Sequence, residues 1–211
     1  MKRYIIFVIV IISLVIFASG CTDNVNKDSN ELDINNSINQ NYNHSKISTK
    51  TYSSPNGISF NYPKGWQRSD WSDVEYGIIP AADVNMQLSF ADPKSAEKYD
   101  GYNNYFYTVV TIEKAQLPFG FSLKSAYDNK FAEVTPGFAF ESMLDTTATV
   151  DGEKAYVKTY TVVEDGVQRK VKEVWFEKNG FAYVILIITL PKDFDGQQAN
   201  FDVILNSFKI Q

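Results

Sequence analysis

The chain has 211 residues, 44% hydrophobic and 15% aromatic, with 20 Lys and Arg against 25 Asp and Glu for a formal charge of −5, and one cysteine. That acidic balance repels nucleic acid, and a single cysteine excludes an internal disulfide framework and thiol redox chemistry within the chain. Stability must come from a hydrophobic core, and the part after about residue 50 is long enough for one ordinary domain.

Residues 1–20 read as an export signal. Lys2-Arg3 precede an apolar stretch from Tyr4 to Ala18, interrupted by Ser13, and Ser19-Gly20 lead to Cys21. As a helix, Tyr4 to Ala18 would span roughly 22 Å, short of the ~30 Å of a bilayer core. A basic start, a short apolar stretch and a small-residue end describe a secretory signal rather than a permanent span. Ala18-Ser19-Gly20-Cys21 resembles the lipobox of prokaryotic lipoproteins, with Ala18 where Leu is usual. In that motif the thiol after the cut takes a diacylglyceryl group, which makes Cys21 the expected lipidation site. The expected location is then the outer face of the cell membrane, exported and lipid-anchored. Losing Lys2 and Arg3 leaves 18 basic against 25 acidic residues, a formal charge of −7.

Residues 21–50 form the next region: Cys21 followed by a tract with eight Asn, one aromatic (Tyr42) and no apolar period. Such a segment cannot bury enough surface to offset its ordering entropy, so a disordered tether is expected. Its r.m.s. span as a coil would be roughly 30 Å. Asn35-Asn36-Ser37 and Asn43-His44-Ser45 fit the glycosylation acceptor pattern at Asn35 and Asn43.

The domain is expected over 51–211. Ile58 to Tyr62, Val84 to Phe90 and Tyr105 to Glu113 read as strands. Ser122 can cap a helix with Leu123, Ala126, Tyr127, Phe131 and Val134 on one face, ended by Pro136-Gly137. Asp151-Gly152, Asp165-Gly166 and Asn179-Gly180 then recur at 14-residue spacing between β-rich runs. Each suits a two-residue type I′ turn, which predicts a four-stranded antiparallel meander over about 138–150, 153–164, 167–178 and 181–190. The turns fix the register, placing Lys158 opposite Glu173 as an ion pair and Tyr156 opposite Trp175. Ala182 to Ile188 is apolar on both faces and so belongs at the centre of a doubly covered sheet. Asp195 can cap a last helix with Phe201, Ile204, Leu205 and Phe208 as its buried stripe.

Gly57-Ile58-Ser59-Phe60-Asn61-Tyr62-Pro63-Lys64-Gly65-Trp66 resembles the opening signature of PsbP-like proteins, and Val150 to Tyr156 and Ile204 to Ile210 continue the likeness across 51–211. The resemblance implies an α+β fold, an antiparallel β-sheet with helices packed on its faces as an α/β/α sandwich. It also implies a mostly non-catalytic extrinsic or adaptor role, which in photosynthetic members is retention of inorganic cofactors at photosystem II. Pro63 reads as a strand stop, Gly65 as a turn and Trp66 as closure of a sheet edge.

No catalytic, cofactor-binding or metal-binding residues are expected. The one histidine, His44, lies in the tether, so Ser-His-Asp and Cys-His arrangements fail. Zinc spacings and Gly-rich phosphate loops are missing from the sequence. Asp193-Phe194-Asp195-Gly196 resembles a calcium loop with its Gly two positions early, and reads better as a turn and helix cap. Asp70, Asp73 and Glu75 cluster near Trp66, Trp71 and Tyr76, an arrangement that a carbohydrate-active or other hydrolase could use and that a solvated acidic loop explains more simply. Between Tyr99 and Tyr107 five of nine residues are aromatic, interleaved with Asp100, Gly101, Asn103 and Asn104. Tyr99 and Tyr102 are the candidate contacts for a partner. The expected function is a surface-tethered, non-catalytic binding or adaptor domain whose partners are the membrane, through the anchor, and an unidentified envelope protein or ligand. The alternatives are the hydrolase and a purely structural envelope component.

Overall fold

The computed structural model describes residues 47–69, 78–79, 82–99, 102–132, 141–164 and 166–211, with only the backbone described at 97–99, 102–105 and 164. The strands are β1 (Thr49–Ser53), β2 (Ile58–Pro63), β3 (Gln67–Ser69), β4 (Asp83–Ala91), β5 (Ala96–Tyr99), β6 (Tyr102–Phe106), β7 (Val109–Gln116), β8 (Glu141–Val150), β9 (Glu153–Glu164), β10 (Val167–Lys178), β11 (Phe181–Thr189) and β12 (Lys209–Ile210). Among the described residues two α-helices join them, α1 (Leu123–Ala132) and α2 (Phe194–Ser207), with a 3-10 turn at Pro93–Ser95. A seven-stranded sheet runs β3-β4-β7-β11-β10-β9-β8, a three-stranded sheet runs β1-β2-β12, and β5 and β6 form a hairpin. Every pairing is antiparallel.

The meander is β8 to β11, within a few residues of the expected bounds. Asp151 (φ 50) with Gly152 (φ 85), and Asn179 (φ 53) with Gly180 (φ 76), carry the two positive φ values of a type I′ turn. Register follows: Lys158 stands opposite Glu173 and Tyr156 opposite Trp175. β11 lies between β7 and β10, and its apolar residues are covered on both faces, as its sequence requires.

One face of the large sheet carries the main core. Leu88, Phe90, Val110, Ile112, Val174, Phe176, Tyr183, Ile185 and Ile187 meet Ile58 and Phe60 of β2, and Phe201, Ile204 and Phe208 of the α2 segment. Phe208 stacks on Phe60 at 5.8 Å and 12° and meets Phe176 edge-on. Trp66 packs edge-on against Phe201 and is buried in this core. Pro63 ends β2, and its carbonyl accepts the Trp66 N–H at 2.9 Å. The opposite face takes α1, which buries Leu123, Ala126 and Tyr127. Ser122 caps that helix reciprocally with Ser125: its hydroxyl accepts the Ser125 N–H at 3.1 Å, and the Ser125 hydroxyl accepts the Ser122 N–H at 3.0 Å. Val134 and Pro136-Gly137 lie outside the described residues.

Three details differ from the sequence reading. Tyr105 to Glu113 is not one strand, because β6 stops at Phe106 and β7 starts at Val109. Thr108 spends its backbone on the turn between them, donating its N–H to Ser95 Oγ at 2.9 Å and accepting the Asp92 N–H at 3.0 Å. The last helix begins at Phe194 with Asp193 at its N-cap, so Asp195 sits inside the first turn, near the positive end of the helix dipole. Pairing also begins at Thr49, two residues before the expected start of the domain, since Thr49 and Lys50 are in register with Pro63 and Tyr62.

Candidate functional site

The site is built where α1 meets the outer strands of the meander. The register aligns Asp145, Lys158, Glu173, Leu186 and Thr111 in one row across β8, β9, β10, β11 and β7. Side chains directly opposite share a face, and this row lies on the face of the sheet that carries α1. The expected pair of Lys158 with Glu173 is replaced by two others. Lys158 Nζ binds the Asp145 carboxylate at 2.6 and 2.7 Å, and Lys130 from α1 reaches Glu173 at 2.9 and 3.0 Å.

Glu173 is fully buried and receives two further donors, the Tyr160 hydroxyl at 2.6 Å and Trp175 Nε1 at 2.8 Å. A buried carboxylate is tolerable when its lone pairs are satisfied in this way. Burial, with the charge of Glu173 beside it, pushes the Tyr160 hydroxyl up and keeps it protonated. A second fully buried carboxylate, Glu113 on β7, accepts the N–H groups of Ile78 at 2.6 Å and Ile79 at 2.9 Å and the amide of Gln87 at 3.2 Å. Burial raises its pKa, against the opposing effect of the two backbone donors.

Nearer the surface, Tyr127 packs edge-on against Trp175 at 5.8 Å, and its hydroxyl donates to Asp145 at 2.6 Å. Lys158 lies over the Tyr127 and Phe131 rings at 5.3 and 4.9 Å. Lys124, Tyr127 and Asp128 from α1, with Asp145, Thr146 and Thr147 from β8 and Tyr156 and Lys158 from β9, line a groove of about 430 Å³. Its carboxylates are paired: Lys124 binds Asp128 at its rim, and Lys158 binds the exposed Asp145 at its mouth. The hydrogen bonds from Lys158 and then Tyr127 hold the Asp145 carboxyl below its ordinary value, and burial pushes the Tyr127 hydroxyl well up. Neither group is poised to exchange a proton near neutrality, which is what a general acid or base needs. The arrangement suits recognition: aromatic rings, paired charges and two threonine hydroxyls on a fixed frame.

Asp151 is the other concentrated charge. Its carboxylate accepts Lys178 at 2.6 Å, Lys209 at 2.9 Å and the Ile210 N–H at 2.9 Å, fastening the β8–β9 turn to the chain's last strand. Burial opposes its ionisation, and these donors override that effect to hold its pKa at about 2. This gives Asp151, within the Val150 to Tyr156 stretch, a structural role as a clamp.

Tyr99 and Tyr102 are backbone partners in the β5–β6 hairpin, and their side chains lie outside the described residues. So do Cys21, Asn35, Asn43 and His44, and the acids Asp70, Asp73 and Glu75 with Trp71 and Tyr76. Among the described residues, no group of three His, Cys, Asp or Glu is placed to hold a metal. Sequence reasoning placed Tyr127 on a core stripe and passed over Asp145 altogether. The signal for Asp145 was present: the two-residue turn at 151–152 sets it opposite Lys158 by the same counting that set Lys158 opposite Glu173. Phe119, fully exposed, and half-exposed Phe121 on the loop before α1 were also passed over.

A family model described as PsbP-like protein matches residues 5–210. Among solved structures, cyanobacterial PsbP (CyanoP) from Synechocystis sp. PCC 6803 matches at 19% identity and TM-score 0.51, covering 78% of this chain and 94% of that one. LpqN, involved in cell envelope biogenesis of Mycobacterium tuberculosis, matches at 15% identity and TM-score 0.49, covering 80% and 94%. The Saccharomyces cerevisiae Ran-binding protein Mog1p matches at 12% and 0.47, covering 78% and 96%. No curated protein matches the chain. The likeness to CyanoP is one of fold, and the match of the family model over nearly the whole length identifies the lineage: the chain belongs to the PsbP-like family.

Proposed function

We propose that this protein is an exported lipoprotein, anchored at the outer face of the membrane through Cys21, whose PsbP-like domain is a non-catalytic binding or adaptor module. The observation that carries the binding reading is the groove between α1 and β8, whose acids are tied to lysines rather than left to move protons. The anchor reading rests on the signal and the lone cysteine at its boundary. The partner is an envelope protein or ligand reached across the tether, and Tyr99 and Tyr102 offer a second contact at the tip of the β5–β6 hairpin.

A photo-crosslinking residue placed at Thr146 on whole cells tests the module. A discrete adduct is expected there, with none from the same probe at Lys192, outside the groove lining. Equal labelling at both sites, or none at either, overturns the reading. For the anchor, Cys21→Ser is expected to abolish incorporation of a labelled lipid, and a variant that labels and matures like wild type refutes it. Replacing Tyr99 and Tyr102 together by Ser is expected to weaken partner capture at unchanged stability; unchanged capture removes the hairpin contact.

A further inference from the structure

The two ends of the large sheet are treated differently. At one end β3 has three residues and carries Arg68, which is how a protein blunts an edge against stray pairing. At the other end β8 is ten residues long, and every position from Glu141 to Thr147 is exposed, as is Thr149. A bulge between Glu141 and Leu144, with Ser142 at φ 54, disturbs only its start. From Leu144 to Val150 the register with β9 is regular, and that stretch contains neither proline nor lysine. Half of its backbone N–H and C=O groups point away from β9, with no further strand beside them in the sheet order among the described residues. An alternating row of donors and acceptors is matched by another extended strand. The exposed Leu144, 58% accessible, also lacks the cover a neighbouring strand would give it.

Charge points to the kind of strand. The row across the sheet reads Glu173, Lys158, Asp145, alternating in sign, and it stops on an acid at the edge. Glu141 and Asp145 are the only charged residues of β8. Pairing the regular stretch of β8 with itself, Leu144 against Val150, would set Asp145 opposite Thr149 and leave the acid without a counter-charge; a strand with a base opposite Asp145 continues the alternation. On that face the groove lies directly between β8 and α1, where a long side chain from an added strand would enter beside Tyr156, Lys124 and Asp128.

We propose that β8 accepts an extended segment of a partner protein as an eighth antiparallel strand, with a cationic side chain of that segment opposite Asp145 at the mouth of the groove. Main-chain hydrogen bonds supply the affinity, and the groove selects the side chain. The proposal rests on the reading of the groove as a binding site and names what it binds.

The probe is a labelled synthetic peptide repeating residues 153–164, the β9 strand that already sets Lys158 against Asp145 on the inner edge of β8. It is titrated into the full-length protein in detergent. Saturable binding is expected, weakened at least about tenfold by Lys-to-Glu exchange at the peptide's position matching Lys158 and by N-methylation of alternate amides. Asp145→Lys is expected to reverse the preference between the Lys and Glu peptides. Because that variant faces Lys158 and could fold poorly, amide hydrogen exchange on the wild-type protein provides a second readout. Protection gained on alternate amides within Leu144–Val150 supports strand addition; protection gained elsewhere, or none with saturating peptide, overturns it. Binding unaffected by N-methylation, or no binding at about 1 mM, also overturns it. Concentration-dependent dimerisation that blocks the peptide assigns the edge to a second copy instead. If the Thr146 adduct forms on cells while the peptide fails, strand addition is wrong and the binding function stands.

Discussion

On the α2 face of the large sheet, Phe60, Phe90, Phe176, Tyr183, Phe201 and Phe208 form a nearly dry aromatic core, whereas on the α1 face the same strands carry Glu113, Glu173, Lys158 and Asp145. Apolar burial is non-directional and roughly proportional to area, so the first face holds the fold together without specifying one arrangement of polar partners. The second face works through directed bonds. Lys130 reaches Glu173 and Tyr127 reaches Asp145, so α1 is held in one position over the meander, and that position shapes the groove. A buried ionic network is a poor source of net stability but a strict specifier of geometry when all its members are satisfied.

The largest effects should come from breaking each face at its centre. Phe201→Ala is expected to cost about 3–5 kcal/mol through lost burial and a cavity, and Glu173→Ala about the same by stranding Lys130, Tyr160 and Trp175 without their acceptor. Apolar rescue separates the two mechanisms. Phe201→Leu should recover most of the loss, since volume is what that face requires. Glu173→Leu should recover little, since an apolar side chain cannot accept the hydrogen bonds that Glu173 takes from Lys130, Tyr160 and Trp175. Urea unfolding measures all four, and a Glu173→Leu protein as stable as wild type would remove the network from the structural account.

That contrast also explains what could be read in the sequence. The meander was legible because Asp151-Gly152 and Asn179-Gly180 impose local backbone conformations that fix register without help from distant residues. The α2 stripe was legible because Phe201, Ile204 and Phe208 need only an apolar neighbour. The network was not, because its partners come from far along the chain: Ile78 and Ile79 bind Glu113 from 35 and 34 residues away, and Lys130 binds Glu173 from 43. Counting from the turns sets Lys158 opposite Glu173, and the same counting carried through the 151–152 turn sets it opposite Asp145 as well, but which carboxylate it takes depends on where α1 delivers Lys130. The β5–β6 hairpin was merged into a longer strand for a similar reason, since the break at Thr108 depends on Asp92 and Ser95.

Acid titration should separate charges of opposite effect. Asp151, held at about 2 against an ordinary 3.8, contributes stability that is present above pH 3.8 and lost as the pH falls towards 2. Asp151→Asn, which still tolerates the positive φ, should therefore melt below wild type at pH 7, with the gap closing as the pH falls to about 2. Glu113 runs the other way: its pKa lies above the ordinary 4.5, so the folded state favours its neutral form, and stability is lost as the pH rises through its folded value. Relative to wild type, Glu113→Gln should gain with increasing pH above about 4.5. Melting curves between pH 2 and 7 check both signs, and parallel profiles for the two variants would contradict these environments.

A smaller contrast lies within the opening signature, between its two glycines. Gly57 has φ +78, and a Cβ there would stand 2.8 Å from the carbonyl oxygen of Gln211, so Gly57→Ala is expected to cost about 1–3 kcal/mol. Gly65 has no left-handed φ, and a Cβ there meets nothing within 4 Å. Gly65→Ala should stay within about 0.5 kcal/mol of wild type. Gly65 does lie in the turn closed by the Trp66 N–H and the Pro63 carbonyl, but the local backbone there does not require glycine, and equal destabilisation of the two variants would reverse that conclusion.

The smallest stability effect is expected at the groove rim, where structure and function separate most cleanly. Lys124 and Asp128 pair one helical turn apart with side chains 53% and 52% exposed, a setting in which the Coulomb gain is largely screened and side-chain ordering offsets the rest. Lys124→Ala should leave the unfolding midpoint indistinguishable from wild type. The same change removes one wall of the groove and frees the Asp128 carboxylate, so the rim gains a negative charge beside Asp145. If an added strand presents a base there, the Lys158-matched peptide should bind at least as tightly to Lys124→Ala while its Glu-exchanged form binds more weakly still. A fall in stability would place Lys124 in the structural network, and equal responses of the two peptides would show that rim charge plays no part in selection.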